Sequence, residues 1–478
     1  MSVKEASGEP AATAPDPAAV PAASPTPASG SGVRTGPALV ALAGAALLAV
    51  LDGTVVAVAL APLADAFSAP LTTVVWVTIA YLLAAATALP LLGWASARFG
   101  GRAVFLAGLG LFLLGSLLCT LARSPGMLIG FRVLQGFGGG LLEPSAMTLS
   151  AALATRESMG RALGVMSTVV NVAPAAGPIL GGLLLETGHW QWLFAVNFPL
   201  GLLVGAATLA YVPARRPDPA PTRPGADLRG LVLLTAGYLG VLFAVNRAGA
   251  HPGDWPVLAA AAGGIVLLAA YVRHAFTTTA TPALDLRLLR RPGFAASIAV
   301  MSLVGLVMYG QTTALPVVGL DQHGLHGLDQ GLLVCALGLG LLVSMTTGGR
   351  ISDRLGARSL VRAGAGATTV LLATFAATAE HIPLAAACAL FVAVGLSFGL
   401  TASPTVASLY RTLPPVEQPQ GTTSIFMAVQ LAASLGVALL SLLQSRAGTD
   451  WVTPLFALFA AAAAGIGLLA GRLPGRPG

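Results

Sequence analysis

Three ionisable side chains, Asp52, Arg132 and Glu143, stand inside long apolar stretches of this 478-residue chain. Of its 18 acidic and 25 basic residues, no others lie so deep in apolar sequence. Charge in such surroundings is expensive unless it is paired, wetted or put to use, so each of the three carries a functional prior. A carboxylate there can take up and release a proton or hold a cation, and a guanidinium can pair with the carboxylate. Arg132 and Glu143 are 11 residues apart, about 20° from a whole number of helical turns, and are expected to share one cavity-facing stripe ~16 Å long. Other chemistry is scarce. Lys4 is the one lysine, which excludes a Walker A nucleotide loop and a Schiff-base lysine. Cys119, Cys335 and Cys388 lie far apart and read as small packing residues, not as a disulfide or metal framework. His189, His251, His323, His326 and His381 fall in loops on one side and His274 on the other, and all six read as solvated. No metal and no cofactor is expected.

The elements that position these groups follow from composition. The chain is 56% hydrophobic and 9% charged, against about 25% charged in a soluble protein, so its apolar excess must face lipid. The net charge of +7 is spread as single or grouped arginines between apolar runs, a topology signal and not a nucleic-acid footprint. Residues 1–36, rich in Ala, Pro, Ser and Gly, read as a disordered cytoplasmic tail and not as a signal peptide. From residue 38 to 471 the sequence divides into fourteen apolar stretches of about 17 to 25 residues, with 229–273 read as two. Placing Lys and Arg in alternate loops puts 21 on the side of the N-terminus and 3 on the other, which fits an even number of spans and both ends in the cytoplasm. Trp76, Trp190, Trp192, Trp255 and Trp451 are expected at outer helix ends and Trp94 at an inner one, as interfacial anchors.

The chain repeats itself. Residues 93–102, GWASARFGGR, align with 349–358, GRISDRLGAR, at an offset of 256, and a Gly-rich stretch ending in Pro144 echoes one ending in Pro404 at an offset of 260. Two related halves with an inserted helix pair describe this pattern, an architecture used by transporters with a midplane site. The expected division is 37–212 and 293–473 as six-helix bundles, 213–292 as linker plus helices 7 and 8, and 474–478 as a short tail.

Four motifs in order resemble the major facilitator superfamily, specifically its fourteen-helix drug:H+ antiporter branch. The loop motif G-x-x-x-D-R-x-G-x-R is complete as Gly349, Asp353, Arg354, Gly356 and Arg358, and degraded in the first half, where Arg98 and Arg102 remain and Ala97 replaces the acid. Helix 4 carries R-x-x-Q-G-x-G as Arg132, Gln135, Gly136 and Gly138. Helix 5 carries G-P-x-x-G-G as Gly177, Pro178, Gly181 and Gly182, with Pro174 upstream. Helix 1 carries L-D-x-T-V-V from Leu51 to Val56, and Trp190–Gln191–Trp192 to Asn197–Phe198–Pro199 resembles the branch's approach to helix 6. The resemblance implies an all-α integral membrane protein of fourteen transmembrane helices that exchanges protons for small amphiphilic compounds, functional as a monomer. A high-GC bacterial inner membrane is the expected location, from the Arg and Ala bias.

Within that frame Asp52, Arg132, Glu143 and Gln135 are the expected proton-coupling and substrate residues, with Asp52 the principal coupling carboxylate and Arg132 its partner. Asp52, about 5 Å outward of the middle, and Arg132, about 9 Å outward, are at depths where they can meet. The loop residues are expected to latch one conformation, with Asp353 just ahead of the next helix, where a carboxylate accepts backbone N–H groups. The helix-5 residues are expected to make a kinked, close-packed segment. Rival readings are a proton-coupled uptake symporter of the same fold, and a membrane receptor or enzyme without transport.

Overall fold

A computed structural model describes residues 35–154, 159–214, 225–249, 251–280, 282–325, 329, 331–414 and 417–473. The tails expected at 1–36 and 474–478 lie outside it, except that Thr35 and Gly36 open the first helix. Every element among the described residues is helical. The long helices are α1 (Thr35–Ala57), α2 (Trp76–Phe99), α3 (Gly101–Thr120), α4 (Pro125–Leu153), α5 (Met159–Leu185), α6 (Asn197–Tyr211) and α7 (Leu228–Arg247). They continue as α8 (Trp255–Thr277), α9 (Pro292–His323), α10 (Leu332–Leu355), α11 (Ala357–Thr378), α12 (Leu384–Thr412), α13 (Gln418–Ala447) and α14 (Val452–Leu469). The 229–273 region is two helices, α7 and α8, as its composition predicts.

Eleven spans, including α2 with its short leading turn and α6 with the turn Trp192–Ala195, are long and apolar enough to cross a membrane. The other three helices coincide with predicted stretches. Helix α4 is diluted by Arg132, Glu143 and six glycines, and α5 and α10 carry apolar runs at 172–185 and 332–345 among their described residues.

The repeat read from sequence reappears in the packing. Helix α2 lies on α4 as α10 lies on α12; α3 lies on α4 as α11 lies on α12; α1 packs along α5 as α9 packs along α13. Buried apolar side chains gather in two clusters, one drawn chiefly from 38–284 with a few residues of α13, the other from 288–473. The sets meet where α5 crosses α10 and where α2 crosses α13, and α7 and α8 pair beside the second seam.

Both copies of the loop motif end in a one-residue reversal. Gly100 (φ +87°) joins α2 to α3 and Gly356 (φ +82°) joins α10 to α11, a left-handed backbone that glycine adopts without penalty. The last arginine of each copy then caps the end of a later helix. Arg102 donates to the Leu209 carbonyl near the end of α6 at 2.9 Å, and Arg358 donates to the Leu473 carbonyl just past α14 at 3.0 and 3.1 Å. Asp353 lies inside α10, which runs on to Leu355, and is not at the start of the next helix; its side chain and that of Arg354 lie outside the described residues. Arg98 is exposed beside Phe99, and Gly349 lies within α10.

The helix-5 motif faces two ways. A Cβ at Gly177 would collide with Thr54, and one at Gly181 would lie 2.6 Å from Val58 Cγ2, so both glycines let α1 approach. On its other side the backbone of Pro174, Ala175 and Pro178 meets Gly331 and Gly338 beside and within α10. Gly182 is also buried. Two sequence expectations fail in detail. Trp451 is buried, its indole donating to Asp321 at 3.3 Å, and is not an interfacial anchor. His274 is partly buried and pairs with Asp227 at 2.7 Å, while His323 Nε2 is enclosed without a partner; His326 lies outside the described residues.

Candidate functional site

Asp52, on α1, is the hub of a buried polar network among the first six helices, level with the first half of α4. Its Oδ2 pairs with Arg132 of α4, while Oδ1 accepts from Gln135 Nε2 at 2.7 Å and from Asn197 Nδ2 at 2.8 Å. Gln135 also accepts from Arg132 Nη1 at 2.8 Å and donates to Ser116 of α3 at 2.8 Å. Arg132 Nε donates to the Val77 carbonyl at 3.1 Å. Nη2 has no hydrogen-bond acceptor, but the guanidinium carbon lies 4.2 Å from the centre of the Tyr81 ring, a cation–π contact that takes its place in part. Tyr81 is fixed by its hydroxyl, which donates to the Ala49 carbonyl at 2.9 Å. Asp52, Ser116, Arg132, Gln135 and Asn197 are all 1% exposed or less.

The glycines after Arg132 make this geometry possible. A Cβ at Gly140 would sit 2.6 Å from Ala85 Cα, and one at Gly136 would sit 2.7 Å from Tyr81 Cα. With hydrogens there, α4 lies flush on α2 and brings Arg132 over the Tyr81 ring.

On the side of Tyr81 toward the C-terminal end of α4 is a cavity, lined from the first half by residues such as Ala49, Gly53, Leu82 and Glu143 and from the second by Tyr309, Phe426 and Gln430. Glu143 faces into it and makes no hydrogen bond or ion pair among the described residues. Gln430 Oε1 is likewise unpartnered. Tyr81 thus divides the predicted residues into two groups. Asp52, Arg132 and Gln135 are interlocked, while Glu143 alone lines the cavity. Arg132 does not share a cavity-facing stripe with Glu143, because the Tyr81 ring stacks over its guanidinium and closes it off.

Sequence reasoning missed Asn197, Ser116 and Tyr81, and left Tyr309 and Gln430 as polar residues in spans that could line a cavity or bond a neighbouring helix. Asn197 and Ser116 complete the network, but a lone Asn or Ser in an apolar stretch gives no sign of its partner. Asn197 did stand within the segment resembling the branch's approach to helix 6. Tyr309 and Gln430 line the cavity, and as polar side chains within spans they are equally consistent with helix-to-helix bonding.

Among the described residues the second half shows no matching network. Gln311 of α9 lies 259 positions after Asp52, and Phe391 of α12 lies 259 after Arg132, within the offset of the repeat. Phe391 joins an aromatic cluster with Phe375 at 4.8 Å and Phe456 at 6.1 Å between ring centres. Gln311 is fully buried and neither its Nε2 nor its Oε1 has a partner. A buried amide left unpaired costs about 1–3 kcal/mol. Gln311→Leu is therefore expected to raise the thermal melting midpoint in detergent while leaving transport unchanged; a lower midpoint would mean that the amide has a partner in the folded protein.

The chain is 34% identical over 407 residues to a multidrug resistance protein B homolog of Mycobacterium tuberculosis, an alignment covering 84% of this chain and 74% of the relative. It is 29% identical over 425 residues to the tetracenomycin C resistance and export protein of Streptomyces glaucescens, covering 88% and 78%. It is 29% identical over 410 residues to the putative multidrug resistance protein MdtD of Salmonella heidelberg, covering 84% and 85%. The family model described as Major Facilitator Superfamily matches residues 42–437 and, again, 298–478. Repeated helix packing, a polar-centred first half and a match over most of its length place the chain in the Major Facilitator Superfamily, as a multi-pass membrane transporter.

Proposed function

We propose that the chain exports small amphiphilic compounds in exchange for protons by alternating access. The observation that carries this reading is Glu143, a carboxylate without a partner among the described residues in a cavity walled by both halves. An uncompensated carboxylate in an apolar cavity is neutralised either by a proton or by a cationic ligand, and the two compete. Tyr309, Phe426 and Gln430 add aromatic faces and an amide to the same cavity, a surface suited to a partly apolar guest. The relatives' names, multidrug resistance and tetracenomycin C export, accord with it.

Asp52, in this reading, is structural. Its oxygens already accept three hydrogen bonds, so protonating it means dismantling a network, whereas protonating Glu143 disturbs nothing. Asp52, Arg132, Gln135 and Asn197 are assigned the framework that holds α1, α3, α4 and α6 together. Residues 37–212 and 293–473 are the rocking bundles of a fourteen-span protein, with 213–292 inserted between them. The Gly100 and Gly356 reversals with Arg102 and Arg358 gate the inner side. The protein works as a monomer in a bacterial inner membrane with both termini cytoplasmic.

Inverted membrane vesicles provide the test. A fluorescent cationic amphiphile should accumulate inside vesicles whose lumen is acidified, and a C-terminal reporter active only in the cytoplasm should be active in cells. Accumulation driven by an alkaline lumen instead would identify an uptake symporter.

A further inference from the structure

Helix α7 is laced to two helices from opposite halves, and we infer that it seals the seam between α2 and α13 from the lipid side, travelling with α13 while sliding on α2 during transport. The inference rests on the exporter reading above, in which the two halves rock.

The seam is a wall of the cavity. Leu82, Ala85 and Leu89 of α2 and Phe426 and Gln430 of α13 line it, and α7 is fastened to neighbouring positions on the same two helices. It runs parallel to α13 and antiparallel to α2, bonding to both at two levels. In the middle, the Tyr238 hydroxyl donates to the Leu431 carbonyl, and Thr235 and Thr87 hydroxyls lie 3.2 Å apart. At the outer end the buried Asn246 bridges both helices: its Oδ1 accepts from Trp76 Nε1 at 3.1 Å and its Nδ2 donates to Ser441 Oγ at 2.9 Å.

The two attachments are unequal. Toward α13, a third bond runs from Arg446 to the Ala248 carbonyl at 3.3 Å, and Gly249 sits so close that a Cβ there would lie 3.0 Å from Ser445 Cβ. The packing of α7 on α13 is also the more extensive. Toward α2 there are two bonds, Thr235 to Thr87 and Trp76 to Asn246, and on parting Thr87 keeps its own Leu83 carbonyl at 2.8 Å. Separation from α13 would strand Asn246 Nδ2 and the Tyr238 hydroxyl inside the membrane, where unsatisfied polar groups are costly. Three bonds and the more extensive packing hold α7 to α13 against two bonds to α2, so release belongs on the α2 side.

The test uses the full chain with Cys119, Cys335 and Cys388 replaced by Ala, carrying either Thr87→Cys with Thr235→Cys or Asn246→Cys with Ser441→Cys. Each pair is bridged in inverted vesicles by a short bis-methanethiosulfonate reagent. Bridging 87 to 235 should stop proton-driven accumulation, with recovery on reduction, and bridging 246 to 441 should leave accumulation unchanged. Full transport in the first or loss in the second overturns the inference, as does failure of both pairs to cross-link. Unbridged variants that never accumulate the probe would fail the exporter reading itself. In that event cross-linking yield decides: it should vary between acid and alkaline lumens for 87–235 and stay constant for 246–441.

Discussion

Glu143→Gln is expected to reduce proton-driven accumulation to the level of vesicles lacking the protein. A transporter that exchanges one proton per substrate can build about a tenfold gradient per pH unit, 1.36 kcal/mol, plus about 2.3 kcal/mol per 100 mV for each net charge moved. Gln fills nearly the same volume but cannot take up a proton, so that drive is lost. Nothing else should change, because the Glu143 carboxylate makes no hydrogen bond or ion pair among the described residues and its removal orphans no group. The variant should therefore melt at the wild-type temperature and still exchange labelled for unlabelled substrate if that substrate is neutral. Accumulation at the wild-type level in Glu143→Gln vesicles would move the proton elsewhere, to Asp52 first.

Arg132→Ala is expected to act on folding before it acts on transport. It leaves Asp52 ionised and enclosed, removes one of the donors to Gln135, and opens a cavity against Tyr81. Breaking one side of a buried pair typically costs about 3–5 kcal/mol, a large share of the 5–15 kcal/mol that holds a typical protein domain together. Asp52→Asn leaves the guanidinium unpaired and is expected to lower stability in the same direction. Asp52→Asn combined with Arg132→Gln removes both charges and should recover part of the loss, since the pair acts as a unit. Melting midpoints and the yield of monodisperse protein from membranes measure this. Should Arg132→Ala melt like the wild type and lose only coupled transport, the pair is the coupling device and not a framework.

The helices were legible because apolar length, which marks segments able to span a hydrocarbon core, is carried by composition alone. The internal repeat was legible because Gly100 and Gly356 both need a left-handed backbone, so the residue type survives in each copy. The site was legible only in part. Asp52 and Arg132 announced themselves as charges in apolar sequence and their shared depth allowed a meeting. What lay beyond reach was the ring of Tyr81, which decides that Arg132 faces the network while Glu143 faces the cavity. Angular position on α4 places the two residues on one side, but a neighbour's aromatic ring partitions that side, and helical geometry holds no information about neighbours. Tyr309 and Gln430 were obscured for a related reason: a polar residue in a span looks the same whether it bonds another helix or awaits a guest.

The composition of the Asp52 network also orders the protein's assembly at the ribosome. Asp52 leaves the exit tunnel before all of its side-chain partners, which follow 80, 83 and 145 residues later as Arg132, Gln135 and Asn197. A first helix released alone into lipid would carry an unpaired carboxylate near the bilayer centre, at about 2.5–3.5 kcal/mol on the insertion scale. Helix α1 is thus expected to be held back from free lipid until α4 supplies the guanidinium, and to complete its docking only when α6 delivers Asn197. With Asp52 intact and a Cys in place of the buried Leu48 one turn before it, nascent chains arrested before residue 132 should expose that Cys to water-soluble thiol reagents, and chains arrested after α6 should protect it.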